Sequence, residues 1–184
     1  MKGVLVRFAL AVDETTRASA FLFLLCLFSP ALSAQDLVWK EFRSAADGFS
    51  VLFPGTPSFV EEKDPDFVHH RYTVRLNGRG FNVTCSDAGE NIPERVVERL
   101  MTNYRDSMVK RMKAKLLEDQ PLKCGAYPGR QFALAGPEGG VSVKMCVAGR
   151  MSCVAQATHN KGSWPADVVN RFHNSFKLFP PAAK

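Results

Sequence analysis

The chain has 184 residues, of which 46% are hydrophobic, 10% aromatic and 23% charged, with a formal net charge of +6. This is the composition of a folded globular body, which excludes a disordered or fibrous chain, and the length excludes several enzyme domains. Beyond the N-terminus no apolar run approaches the ~20 residues that a membrane-spanning helix needs.

Ala20 to Phe28 reads AFLFLLCLF, the length of a signal-peptide core and too short to span a bilayer. Lys2, Arg7 and Arg17 precede it, Pro30 breaks the run, and Ala31-Leu32-Ser33-Ala34 supplies small residues for cleavage after Ser33. Asp13 and Glu14 sit poorly in such a flank and suggest a start downstream of Met1. Cys26 follows Leu25, so the leader does not carry a lipid-attachment box. The expectation is a signal peptide over residues 1–33, a single domain over 34–184, and a periplasmic or secreted location with no membrane anchor after cleavage. Losing three basic and two acidic residues leaves a net charge near +5. That is a mild attraction to anionic surfaces; export argues against nucleic acid as the partner.

Trp39 to Phe42 and Phe49 to Phe53 are short aromatic and β-branched runs, and Pro54-Gly55-Thr56-Pro57 turns the chain after them. Val68 to Leu76 alternates as a strand, Asn77 to Gly80 turns, and Phe81 to Cys85 returns, which predicts a hairpin. Between them Glu62, Asp64 and Asp66 form an acidic stretch, read as a solvated loop that could hold a metal with one of His69 and His70. The two histidines cannot converge on one ion, because neighbours on a strand point to opposite faces.

Asn91 with Glu94 has capping-box spacing, and Pro93 fits a first helical turn. Val97, Leu100, Met101, Tyr104, Met108 and Met112 then recur at helical spacing as one buried face. Lys110, Arg111, Lys113 and Lys115 crowd the helix end, where cations favour the macrodipole and form a candidate patch for an anionic partner. Leu116–Cys124 and Arg130–Leu134 are β segments, Gly136 to Gly140 is a turn, and 141–158 is a further hairpin. Ser163 caps a last helix that buries Val169, Phe172 and Phe176 and ends at Pro180-Pro181. The predicted class is α+β, an antiparallel sheet flanked by helices.

Four cysteines follow the leader, an even number that suggests disulfides in an exported chain. Cys146 and Cys153 lie three residues either side of the Gly149-Arg150 turn and so face each other. A bond between them would leave Cys85 with Cys124. A strict two-residue turn makes Cys146 and Cys153 the wider, hydrogen-bonded kind of pair, which suits a bond less. Buried free thiols are the alternative; the spacing does not fit zinc.

Trp39 to Phe42, Phe49 to Pro57, Tyr127-Pro-Gly-Arg-Gln-Phe132 and Phe172-His-Asn-Ser-Phe-Lys-Leu178 resemble, in order over residues 39–179, exported bacterial proteins of the PsbP-like superfamily. These are packing and turn motifs. The resemblance implies an antiparallel sheet flanked by helices and a non-catalytic binding or assembly role. The late hairpin departs from the pattern: where relatives often carry Gly-Asn and facing aromatics, this chain has Gly149-Arg150 and two cysteines. No metal-binding or partner-binding residue carries over.

The chain has no G-x-S-x-G, H-E-x-x-H or phosphate-loop pattern, and His159 and His173 stand apart. The expectation is an exported module with no cofactor that binds an unknown envelope protein or an anionic surface. The alternatives are a metal-binding envelope protein using Asp64, Asp66 and His69, and a cysteine-dependent redox protein.

Overall fold

Alternation with a period of two, the signature of strands, runs through most of the chain. Five strands precede the first helix: β1 (Lys40–Ser44), β2 (Phe49–Phe53), β3 (Ser58–Lys63), β4 (Val68–Leu76) and β5 (Arg79–Asp87). After α1 (Glu94–Met112) come β6 (Lys115–Cys124), β7 (Tyr127–Gly136), β8 (Gly139–Ala148) and β9 (Met151–His159). α2 (Ala166–Ser175) and the two-residue β10 (Lys177–Leu178) follow. This computed structural model describes residues 37–160, 162 and 164–180, so the leader and the Ser163 cap lie outside the described residues.

One antiparallel sheet has the order β3-β4-β5-β9-β8-β7-β6, and β1-β2-β10 form a second. The architecture is α+β, with an antiparallel sheet flanked by helices. Among the described residues no helix is long and apolar enough to cross a membrane. The tight hairpins use residues that accept positive φ: Asn77 and Gly78 (37° and 76°) between β4 and β5, and Gly149 (60°) between β8 and β9.

The large sheet is buried on two sides. On one face Val97, Met101 and Met108 of α1 pack on Phe132, Leu134, Val141, Val143, Met145 and Val154. Each such side chain contributes roughly 1.5–3 kcal/mol by leaving water. On the other face Phe81 meets Phe172 at 4.9 Å and Trp164 at 4.6 Å between ring centroids, and Tyr72 meets Phe49 at 5.3 Å. Phe49, Val51 and Phe53 of β2 complete this second core.

Polar groups fix the layers. Asp47, 3% exposed, accepts hydrogen bonds from Ser44 Oγ (2.9 Å) and Tyr72 Oη (2.6 Å) and lies 2.5 Å from His70 Nδ1. That network ties the β1–β2 turn to β4. Burial and the Asp47 carboxylate push the Tyr72 phenol up to about 12. On the α1 side, Arg130 of β7 grips Asp119 of β6 through Nε (2.7 Å) and a terminal nitrogen (2.8 Å) while also pairing with Glu98 of α1. Arg105 of α1 joins Asp119 as well, and the Arg130 hydrogen bond is the largest cause holding that carboxyl below its usual range.

Several expectations need correction. Glu62, expected in a loop with Asp64 and Asp66, lies in the strand Ser58–Lys63, whose side chains are all exposed, so no apolar alternation marks it; Asp64 and Asp66 do lie between strands. The capping box does not form, because Pro93 itself is the extended N-cap residue and the Ile92 N–H is anchored on the Gly149 carbonyl (3.0 Å). The last helix stops at Ser175, where the chain turns extended and β10 pairs with the open side of β2.

The cysteines also pair differently. Cys146 does face Cys153 in the β8–β9 ladder, but Cys153 is bonded to Cys85 (Cα–Cα 4.1 Å) and Cys146 to Cys124 (6.1 Å). Antiparallel geometry decides this. With a two-residue turn, Cys146 and Cys153 form a hydrogen-bonded pair, ~5.5 Å apart, so Cys153 must form the closer, non-hydrogen-bonded pair (~4.5 Å) with its other neighbour. That neighbour is Cys85. Cys124 reaches Cys146 diagonally across β7 at Gly129, where a Cβ would lie 2.8 Å from Cys124 Sγ and 2.8 Å from the Met145 carbonyl oxygen.

Non-reducing peptide mapping should therefore recover Cys85 linked to Cys153 and Cys124 linked to Cys146; a Cys146–Cys153 peptide would contradict the register argument. Closing the 22-residue separation is worth about 3 kcal/mol by chain entropy. Replacing Cys124 and Cys146 by serine should lower the urea midpoint accordingly, and Gly129→Ala should cost roughly 2–3 kcal/mol through overpacking.

His173 gives a pH prediction. It is 2% exposed, and neither ring nitrogen has a hydrogen-bond partner. Burial, and then the charge of Lys144, push it down from 6.5 to about 4. The unfolded chain thus takes up a proton near pH 6.5 and the folded chain only near 4, so stability is lost as pH falls through that window. The loss is roughly 3 kcal/mol, complete below pH 4. Urea titrations at pH 7 and 4.5 should show the drop, and His173→Leu should reduce it.

Candidate functional site

An α-helix is ~10–12 Å wide and strands lie ~4.8 Å apart, so one helix covers only two or three strands of a sheet. α1 covers β7, β8 and the near side of β9. On the same face, β4, β5 and the far side of β9 stay uncovered, and there the alternate positions turn polar. The register aligns them in rows: His69 beside Ser86 and Ser152, Arg71 beside Thr84 and Val154, and Thr73 beside Asn82 and Gln156. Leu100, Tyr104 and Arg111 of α1 form a wall, and together these residues line a groove of about 930 Å³.

The groove is positive. Arg71, Arg75, Arg79 and Arg111 line it, with Glu62 as the carboxylate among the lining residues. Glu62 pairs with Arg71 at 3.1 Å, both half-exposed, an arrangement worth at most ~1 kcal/mol to stability. Among the described residues neither Arg75 nor Arg111 has a carboxylate within ion-pair distance. Tyr104 stands between wall and floor. Its hydroxyl accepts a hydrogen bond from Gln156 Nε2 (2.9 Å); burial raises its pKa, and the charges of Arg111 and Arg71 oppose the rise. Asn82 Oδ1 is shielded from solvent and has no hydrogen-bond partner.

At one end of the groove His69 Nδ1 lies 2.7 Å from Ser86 Oγ, and Nε2 lies 2.9 Å from Asp64 Oδ2. Phe67 stacks on the ring. The His69 hydrogen bond, and then the Asp66 and Phe67 backbone N–H groups, hold the Asp64 carboxyl below its usual range.

The metal candidate is thus a hydrogen-bonded turn. Asp64 and His69 come together, with both imidazole nitrogens already engaged, and Asp66 contributes its backbone N–H to Asp64. His70 points to the opposite face and into the Asp47 network, as strand geometry requires. Among the described residues no cluster of three or more metal-binding side chains is formed. The basic patch divides: Lys110, Arg111, Lys113 and Lys115 are all exposed, but only Arg111 lines the groove. The redox candidates are bonded and buried, with Cys85, Cys146 and Cys153 at most 1% exposed.

The groove itself escaped the sequence reading. Its signal is present in His69-x-Arg71-x-Thr73-x-Arg75 and Asn82-x-Thr84-x-Ser86, where polar residues alternate with the buried Tyr72, Val74, Val83 and Cys85. That pattern marks a face outside the core but not whether the face is concave.

No family model matches the chain, and no curated protein does. A solved structure from Bacteroides thetaiotaomicron VPI-5482 is similar at 14% identity and a TM-score of 0.42, covering 77% of this chain and 48% of that one. The chain thus spans about half the length of that structure.

Because both His69 nitrogens are engaged, titrating zinc, manganese or calcium should leave its ring NMR signals unmoved. A shift saturating at one equivalent would show that the acidic turn opens to take a metal.

Proposed function

We propose that this chain is an exported, non-catalytic binding module and that the groove between α1 and the β4–β5–β9 face is where it binds. The observation that carries this reading is the groove: polar side chains from five elements converge on about 930 Å³, within the ~300–1,000 Å³ of small-molecule sites. Two disulfides support export, since such bonds persist in oxidising compartments. The signal-like leader and the resemblance to PsbP-like proteins support the same reading. The partner is an envelope component, and the positive lining favours an anionic one.

The test uses mature protein incubated with the soluble extract of the native envelope and examined by native mass spectrometry. Wild-type protein should retain a ligand that is released with unaltered mass. Thr84→Trp, which fills the groove floor beside Val154, should retain none while keeping both disulfides and a cooperative unfolding transition. A ligand that comes off chemically transformed would make the protein an enzyme, and equal retention by Thr84→Trp would place binding elsewhere.

A further inference from the structure

We infer that the groove takes an acidic saccharide of about three sugar rings; this rests on the groove being the binding site proposed above. Two sets of groups must be matched at once. The arginines of β4 and α1 call for carboxylates, which a guanidinium grips through two parallel hydrogen bonds. The floor calls for something else. Thr73, Thr84, Ser86 and Gln156 can both donate and accept, which matches hydroxyl groups better than a bare anion that only accepts. Asn82 adds to this: no hydrogen bond holds its carbonyl oxygen, so its amide can turn to offer a ligand hydroxyl either an acceptor or a donor.

The charge arrangement places the acid groups. Arg71 on the floor, Arg111 on the wall and Tyr104 line the same groove, and both charges act on the Tyr104 phenol, so a carboxylate bound there meets two guanidinium groups. Arg75, four residues from Arg71 on the same face of β4, offers a second guanidinium about 13 Å along the strand, so the two are matched by acid groups at opposite ends of a chain of about three rings and not by adjacent ones. Glu62 competes for Arg71 from the rim. Phe67 adds an apolar ring at the end near His69, where the non-polar face of a sugar can rest.

The test is an NMR titration of the disulfide-bonded chain with trigalacturonate, with maltotriose as the neutral counterpart and sulfate as the simple anion. Trigalacturonate should shift the Asn82 and Gln156 side-chain amides saturably. Arg111→Gln should weaken it about tenfold, and Glu62→Gln should tighten it severalfold by releasing Arg71; both positions are exposed, so the fold is kept. Maltotriose should bind at least about tenfold more weakly. Equal affinity for maltotriose, or no effect of Arg111→Gln, overturns the acidic class. Sulfate binding as tightly as trigalacturonate overturns the saccharide but leaves a binding groove. No shift of either amide with any probe at millimolar concentration overturns the inference, while retention in the envelope-extract experiment still decides the groove reading separately.

Discussion

A helix is about twice as wide as the spacing between strands, and that mismatch shapes this molecule. Seven strands form the main sheet, and on one face a single 19-residue helix is laid across them. Where α1 sits, β8 is apolar at Val141, Val143, Met145 and Val147; beyond its flank, β4 and β5 are polar at the matching positions. The opposite face shows no such division around Phe81, Val83, Tyr72 and Val74, because the small sheet and α2 cover it. Incomplete cover on one side creates the groove, and the residues that keep that half-face wet are the residues able to hold a ligand.

The same antiparallel geometry decides the covalent framework. Cys85, Cys153 and Cys146 stand in one row across three strands, so Cys153 has a cysteine on each side. A strand residue makes its close pair with one neighbour and its hydrogen-bonded pair with the other, and the bond follows the close pair. Cys146 is then left to find Cys124 two strands away, which is possible because the intervening residue is Gly129. The two bonds tie β5 to β9 and β6 to β8, spanning most of the sheet that forms the groove floor and the bed of α1.

What could be read in the sequence was what local pattern determines. The β4–β5 hairpin, the α1 face and the facing of Cys146 and Cys153 each follow from a few consecutive residues and a turn. β3 was hidden because Ser58–Lys63 buries neither face and pairs only at the sheet edge. β10 was hidden because two residues carry no periodicity, and only the open side of β2 recruits them. The cysteine partners depended on the β5–β9 register, a pairing across 68 residues that no local pattern encodes. The groove failed for the same reason: Thr73, Asn82 and Gln156 become neighbours only when three strands align, and Arg111 joins them only when α1 settles on β8.

The groove exists because the helix-side face of β4 and β5 is open to solvent while the same face of β8 is closed. Methyl NMR with a soluble, neutral paramagnetic gadolinium chelate tests it most directly, because threonine and valine methyls lie on both halves. The Thr73 and Thr84 methyls should broaden strongly, and those of Val141 and Val143 should stay sharp. Equal protection of all four would mean that the face is covered and there is no groove.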